Sequence, residues 1–390
     1  MKQALICASV RTPIGSLNGK LSTTSAVKLG QIAASAALQR SGFSPDLVDE
    51  TLFGNVLQAG LGQNPARQIA IGCGIPVAKP AATVNQVCGS GMFSVLQGLR
   101  AIRLEEASIV LAGGTESMSG APYLLPSMRQ GAGYGRTAAI DSTESDGLTD
   151  AFSQLHMGTT AENIAAHYKI SRETQDTFAA ESQRRCAAAT AKGIFAEEIV
   201  PVTVRQRKSE ILVEQDEHPR PDTTVEVLAR LRPAFKADGT VTAGNASGIN
   251  DGAAALVMAE RSRVADSSGS VILRDAVWSG CPPEMMGIGP VNAVKILLQR
   301  QKLQTADIDL WELNEAFAVQ SLAVLADLGL DAGKVNVNGG AIALGHPIGA
   351  SGARIIVTLI HQMKRQGAAL GVASLCVGGG MGIAVLVENI

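Results

Sequence analysis

Four side chains stand where their chemistry could be joined. They are Cys88 in Val87-Cys-Gly-Ser-Gly91, Asn314 in Asn314-Glu-Ala-Phe317, His346 in the glycine-rich run Gly340 to Gly352, and Cys376 in Cys376-Val-Gly-Gly-Gly380. A cysteine with a histidine makes a nucleophile and its base, and a second cysteine adds a second proton carrier. Each follows a predicted strand, where an α/β sheet offers side chains to a substrate. Singly they have plainer accounts: a small buried thiol, a turn histidine before proline, a helix-capping asparagine, a strand cysteine in the core. Their shared setting among glycines favours chemistry.

The elements that must position them are legible around the first cysteine. The β-prone run from Thr83 ends at Cys88, and Met92, Val95, Leu96, Leu99 and Ile102 then recur at helical spacing. Cys88 is therefore expected beside a helix N-terminus, whose free N–H groups and dipole should lower its pKa. Residues 3–10 read as a first strand, Ser25 to Arg40 as a helix, and Ala107 to Gly114 as a buried parallel strand.

This unit returns 260 positions later: Leu38 to Asp49 and Leu298 to Asp309 agree in helix end, turn and strand start. Val335 to Gly340 answers the Cys88 strand, with a helix starting near Ser351, and Ala373 to Gly380 answers Ser108 to Gly114. Two similar α/β halves follow. Residues 1–118, completed by about 246–268, make the N-terminal half, and 269–390 the C-terminal half. Residues 119–245 break the pattern. Gly120 to Asp150 is rich in Gly, Ser and Pro, then Thr160 to Tyr168 and Ser171 to Lys192 read as helices, the second capped by Ser171 and closed by Gly193. This insertion reads as a loop domain over the sheet edges, where ligands bind.

With 46% hydrophobic residues, 42 glycines and a net charge of −2 in 390 residues, the chain is neither disordered nor a nucleic-acid binder. The six cysteines never adopt zinc-ligand spacing, so no metal site is expected, and they read as free thiols of a reducing compartment. The apolar start is too short for a secretory signal and no run would span a bilayer, so a soluble cytoplasmic protein without membrane contact is expected. The glycine-rich loops lack the Gly-Lys-Ser/Thr of a phosphate loop, and no Gly-x-Gly-x-x-Gly follows the first strand. The cluster Arg205-Gln-Arg-Lys208 reads as solvated surface.

These motifs, with Arg11-Thr-Pro-Ile-Gly15, Gly54 to Arg67, His156-Met-Gly158 and Thr242 to Asp251, run almost end to end and resemble the thiolase family, within it the acetyl-CoA C-acetyltransferases. The resemblance implies the thiolase fold: two similar βαβαβαββ halves, five-stranded each, in a five-layered α-β-α-β-α arrangement with an inserted loop domain. It implies a homotetramer, and reversible Claisen condensation of two acetyl-CoA to acetoacetyl-CoA plus CoA through an acetyl-cysteine, with the thioesters as substrates and no separate cofactor. Cys88 would take the acetyl group, His346 its proton, and Cys376 the α-proton of the second acetyl-CoA. Backbone N–H groups of Cys88 and Gly378 would form one oxyanion hole, and His346 with a water held by Asn314 the other. CoA would be held by Ser247 and His156 at the pantetheine and by Arg220 and Phe235 at the adenine end. Met157, Met286 and Phe317 would line the acyl pocket, a methionine at the first position going with short acyl chains.

Gln86 stands where the family more usually has lysine, Trp311 where smaller residues are usual, and Gly131 to Ser145 fits poorly. Two further readings stay open: a 3-ketoacyl-CoA thiolase of fatty-acid breakdown acting on longer chains, and a catalytically silent CoA- or lipid-binding member of the fold.

Overall fold

The computed structural model describes residues 2–205 and 209–390, so the basic cluster lies, beyond Arg205, outside the described residues. Strands β1 (Ala4–Arg11), β2 (Glu50–Gly54), β3 (Ala81–Val84), β4 (Ile109–Ser117) and β5 (Asn250–Glu260) lie in the order β1-β5-β4-β2-β3. Strands β6 (Val271–Gly280), β7 (Leu310–Leu313), β8 (Leu370–Val377) and β9 (Met381–Asn389) repeat this as β6-β9-β8-β7. In each half the inner pairs are antiparallel and the outer ones parallel. The halves join where β1 pairs with β6, from Ala4 opposite Leu273 to Ile6 opposite Val271.

Helices α3 (Ser90–Arg103) and α8 (Ile348–Gln366) lie between the two half-sheets. Met92, Leu96 and Leu99 of α3 and Ile355, Leu359 and Met363 of α8 share one core with Val110 and Ala112 of β4 and Val385 and Val387 of β9. Neighbouring strand positions point the other way, as the two-residue period requires. Leu111 packs outward on α1 (Ala26–Ser41), and Leu386 on α6 (Gly289–Gln301). Helix α2 (Pro65–Gly72) joins the first outer layer and α7 (Ala318–Leu328) the second, completing an α-β-α-β-α sandwich. Trp311 is buried in the second outer core.

The repeat is kept to the level of single hydrogen bonds. The short 3-10 turns Pro45–Leu47 and Thr305–Asp307 start 260 positions apart, as do β2 and β7. Asp49 Oδ2 accepts from the N–H groups of Ser108 and Ile109 at 2.8 and 3.1 Å, and Asp309 Oδ2 from Ala369 and Leu370 at 2.9 and 3.0 Å. One expected element is reduced. The run from Val335 forms only a single bridge to Trp311, because the Asn336 side chain takes the place of main chain: its Oδ1 accepts from Leu313 N and its Nδ2 donates to Leu313 O, both at 2.8 Å. Helix α8 also begins before Ser351, at Ile348.

The insertion between β4 and β5 carries α4 (Met157–Tyr168) and α5 (Arg172–Ala191). Ser171 Oγ accepts from Thr174 N to start α5, and Gly193, at φ 68°, ends it. Gly120 to Asp150 is mostly exposed, with two two-residue strands, Tyr123–Leu124 paired to Ile140–Asp141, and a π-helical turn Thr143–Leu148.

Candidate active site

Cys88 sits on a tight turn just before α3. Val87 has φ +45°, a left-handed conformation that a β-branched residue adopts only under strain. The turn is over-determined: Val87 N donates to Asn85 Oδ1 at 2.9 Å, while Ser90 Oγ accepts from Gln86 N at 2.8 Å and donates to Val87 O at 2.6 Å. The N-terminal ends of α3 and α8 then touch backbone to backbone. A Cβ on Gly91 would stand 2.8 Å from Ala353 N, and one on Gly352 2.5 Å from Met92 N. Only glycine permits this approach, which carries the Cys88 turn to the loop before α8.

That loop holds His346. Gly345 takes φ +104°, and the His346 N–H then donates to Asn250 Oδ1 at 2.9 Å. The ring is held at both nitrogens: Nδ1 is 2.6 Å from Ser351 Oγ, and Nε2 is 3.4 Å from Asn314 Nδ2. Asn314 follows β7, tied by its N–H to Ser374 O at 3.0 Å. Cys376 lies inside β8 rather than in a loop, because the β8–β9 ladder runs on to Val377 opposite Met381 and the turn comes only at Gly378–Gly380. The Gly378 N–H is directed at the Cys88 sulfur.

Burial dominates the electrostatics. It pushes the Cys88 thiol up to about 11 despite the N–H groups of Gly378 and Cys88, so the lowering expected from the helix end is outweighed. Burial, helped by the charge of Arg354, drives His346 down to about 3. Cys376 is raised well above its usual value, first by burial and then by Cys88 and Cys281 nearby.

A cavity of about 420 Å³ brings these groups to one surface: Cys88, His346 and Cys376 line it. So do Arg220, Ser247, His156 and Phe235, and Met157, Met286 and Phe317. His156 stacks on Phe235 with ring centres 4.7 Å apart, and Phe235 meets Phe317 edge-on at 6.1 Å. The stack depends on Gly158, where a Cβ would lie 2.2 Å from Phe235. Asn314 and Gly378 stand behind this lining, reaching it through His346 and Cys88. Sequence reasoning misses His218, which also lines the cavity, and the contact of Ser351 with the His346 ring, since the sequence marks Ser351 only as a helix start.

The thiolase N-terminal domain family model matches residues 4–262, and the thiolase C-terminal domain model residues 269–389. An acetyl-CoA acetyltransferase of Chromobacterium violaceum is 52% identical over 391 residues, covering 99% of this chain and 100% of its own. The crystal structure of the Bacillus anthracis acetyl-CoA acetyltransferase matches with a TM-score of 0.97 at 42% identity, covering 100% of this chain and 99% of its own. Human mitochondrial 3-ketoacyl-CoA thiolase in complex with CoA matches with a TM-score of 0.95 at 45% identity, covering 100% of this chain and 98% of its own.

Proposed function

The chain belongs to the thiolase family, and on that premise we propose that it is an acetyl-CoA C-acetyltransferase, joining two acetyl-CoA into acetoacetyl-CoA and CoA, and reversing that step. The observation that carries the site assignment is one apolar cavity shared by Cys88, His346 and Cys376.

At neutral pH the thiol and the imidazole are both uncharged, so the nucleophile is made only as the thioester arrives. Cys88 sulfur bonds to the acetyl carbonyl carbon while its proton passes to His346 Nε2. The C–S bond to CoA breaks, and the departing sulfur takes the proton of Cys376. Cys376, now a thiolate whose burial makes it a strong base, removes the α-proton of the second acetyl-CoA. The carbanion attacks the acetyl carbon, the Cys88 C–S bond breaks, and Cys88 recovers its proton from His346. The N–H groups of Cys88 and Gly378 meet the oxygen of the acetyl-enzyme, and His346 with a water held by Asn314 the oxygen of the thioester.

Arg220, Ser247, His156 and Phe235 hold CoA in this reading, supported by their place in the wall, and Met157, Met286 and Phe317 close the acyl end. A homotetramer is proposed with it, supported by the exposed apolar side chains of Tyr123, Leu125, Met128 and Tyr134 in the insertion. Among the described residues no helix is long and apolar enough to cross a membrane.

The 3-ketoacyl-CoA thiolase reading keeps the same chemistry and is favoured by the structural likeness to that human enzyme. Thiolysis rates on acetoacetyl-CoA and on longer 3-ketoacyl-CoA separate the two; faster turnover of the longer chains would select the second. For the chemistry itself, Cys88→Ala should abolish covalent acetyl labelling, and Cys376→Ala should keep the label but lose condensation. Labelling that survives the first change would sink the assignment.

A further inference from the structure

We propose that Ser351 is a positioning residue that fixes the tautomer of His346, leaving Nε2 as the basic nitrogen of the ring. Ser351 is fully buried in the first turn of α8. Its hydroxyl has two buried partners: Oγ lies 2.9 Å from the carbonyl of Pro347, one helical turn back and able only to accept, and 2.6 Å from His346 Nδ1. A hydroxyl carries one proton, so with Pro347 O taking it, both contacts are made when Nδ1 carries an N–H that donates to Oγ.

The other side of the ring agrees with that form. Asn314 Nδ2 is a donor and stands 3.4 Å from Nε2, so Nε2 meets it as an acceptor. The main chain of His346 is held separately by Asn250, whose Oδ1 takes the His346 N–H at 2.9 Å and whose Nδ2 donates to Gly15 O at 2.9 Å. Ser351 thus has the ring rather than the loop as its task. With the hydroxyl in place the ring has one orientation and one tautomer. Without it Nδ1–H is buried unpaired, and the ring gains from turning over or from moving its proton to Nε2. Either change removes the lone pair that receives the Cys88 proton.

This inference rests on the thiolase reading, and the test separates the two. Neutron diffraction of the wild-type protein reads the tautomer without any turnover: deuterium is expected on Nδ1 of His346 and absent from Nε2. Ser351→Ala is expected to slow acetylation of Cys88 by acetyl-CoA on the order of 10- to 100-fold, as loss of an outer-shell partner does, with CoA affinity unchanged. Ser351→Thr, which keeps the hydroxyl, should recover most of that rate. Deuterium on Nε2 would overturn the proposal. So would wild-type acetylation in a folded Ser351→Ala protein, or equal losses in both variants, which would trace the effect to packing. A wild-type protein that shows the expected tautomer but never acetylates would instead overturn the thiolase reading alone.

Discussion

Asn314 Nδ2 and His346 Nε2 stand 3.4 Å apart, both buried, although they arrive on separate loops of the C-terminal half. In the proposed reaction this contact sets Asn314 to hold the water that, beside His346, meets the negative charge developing on the thioester oxygen. A donor pre-aimed at developing negative charge is worth about 10²–10³ in rate. Asn314→Ala should lower kcat for acetoacetyl-CoA thiolysis by about that factor. Because Asn314 is behind the cavity wall, KM for CoA should change little. A large rise in KM with kcat preserved would move Asn314 from chemistry to binding.

The free enzyme should show a Cys88 that alkylates slowly. With the thiol pushed up to about 11 and His346 down to about 3, neither proton transfer to the ring nor dissociation yields much thiolate near pH 7. The thiolate fraction, and with it the iodoacetamide rate at Cys88, should climb about tenfold per pH unit from pH 6 to 10. Following the Cys88 peptide by mass spectrometry separates it from Cys7, Cys73 and Cys281, which are half-exposed like Cys88 itself. A plateau below pH 8 would mean a thiolate–imidazolium pair already exists in the resting site.

Met157 lines the cavity among Met286, Phe317 and Cys376, at what the proposed function makes the acyl end. Met157→Ala removes enough side chain for added methylenes, each worth about 1–3 kcal/mol of discrimination in such a pocket. The ratio of kcat/KM on 3-ketohexanoyl-CoA to that on acetoacetyl-CoA should rise at least about tenfold, at a stability cost of about 2–5 kcal/mol. An unchanged ratio with the expected loss of Tm would show Met157 to be packing only.

The halves were legible because each buries the same pattern: an outer helix, a turn, and an aspartate, Asp49 or Asp309, that ties the start of one strand to its neighbour. The Cys88, His346 and Cys376 stretches were legible from residue type among glycines. Depth was not. A helix N-terminus is visible in sequence, whereas the burial that outweighs it at Cys88 comes from loops of both halves. Ser351 was hidden because its partner lies across the Pro347 turn, at no helical or strand spacing from it. The lost strand at Val335 was hidden because one side-chain amide, that of Asn336, imitates backbone.

Glu116 is a buried charge near the site, and its task is to join loops. It is a polar residue in the interior of β4, with no exposure. Its Oε1 accepts from Asn55 Nδ2 at 2.7 Å and Leu57 N at 3.2 Å, and its Oε2 from Val56 N at 3.0 Å and Gly349 N at 2.9 Å. Four donors converge on two oxygens, a pattern only the carboxylate satisfies. Burial pushes the group up to about 7 while the main-chain N–H groups pull it back, so the ionised form prevails at pH 8. Glu116→Gln keeps the shape but replaces one oxygen by an amide that itself donates, leaving two buried donors facing a third. Each unpaired buried donor costs about 1–3 kcal/mol, so urea denaturation at pH 8 should show a loss of at least about 2 kcal/mol. Since Gly349 belongs to the first turn of α8, two residues before Ser351, acetylation of Cys88 should slow as well. A variant as stable and as fast as wild type would mean that the loops are held by their packing on Val56, Leu57 and Ile348, and that the four hydrogen bonds add nothing.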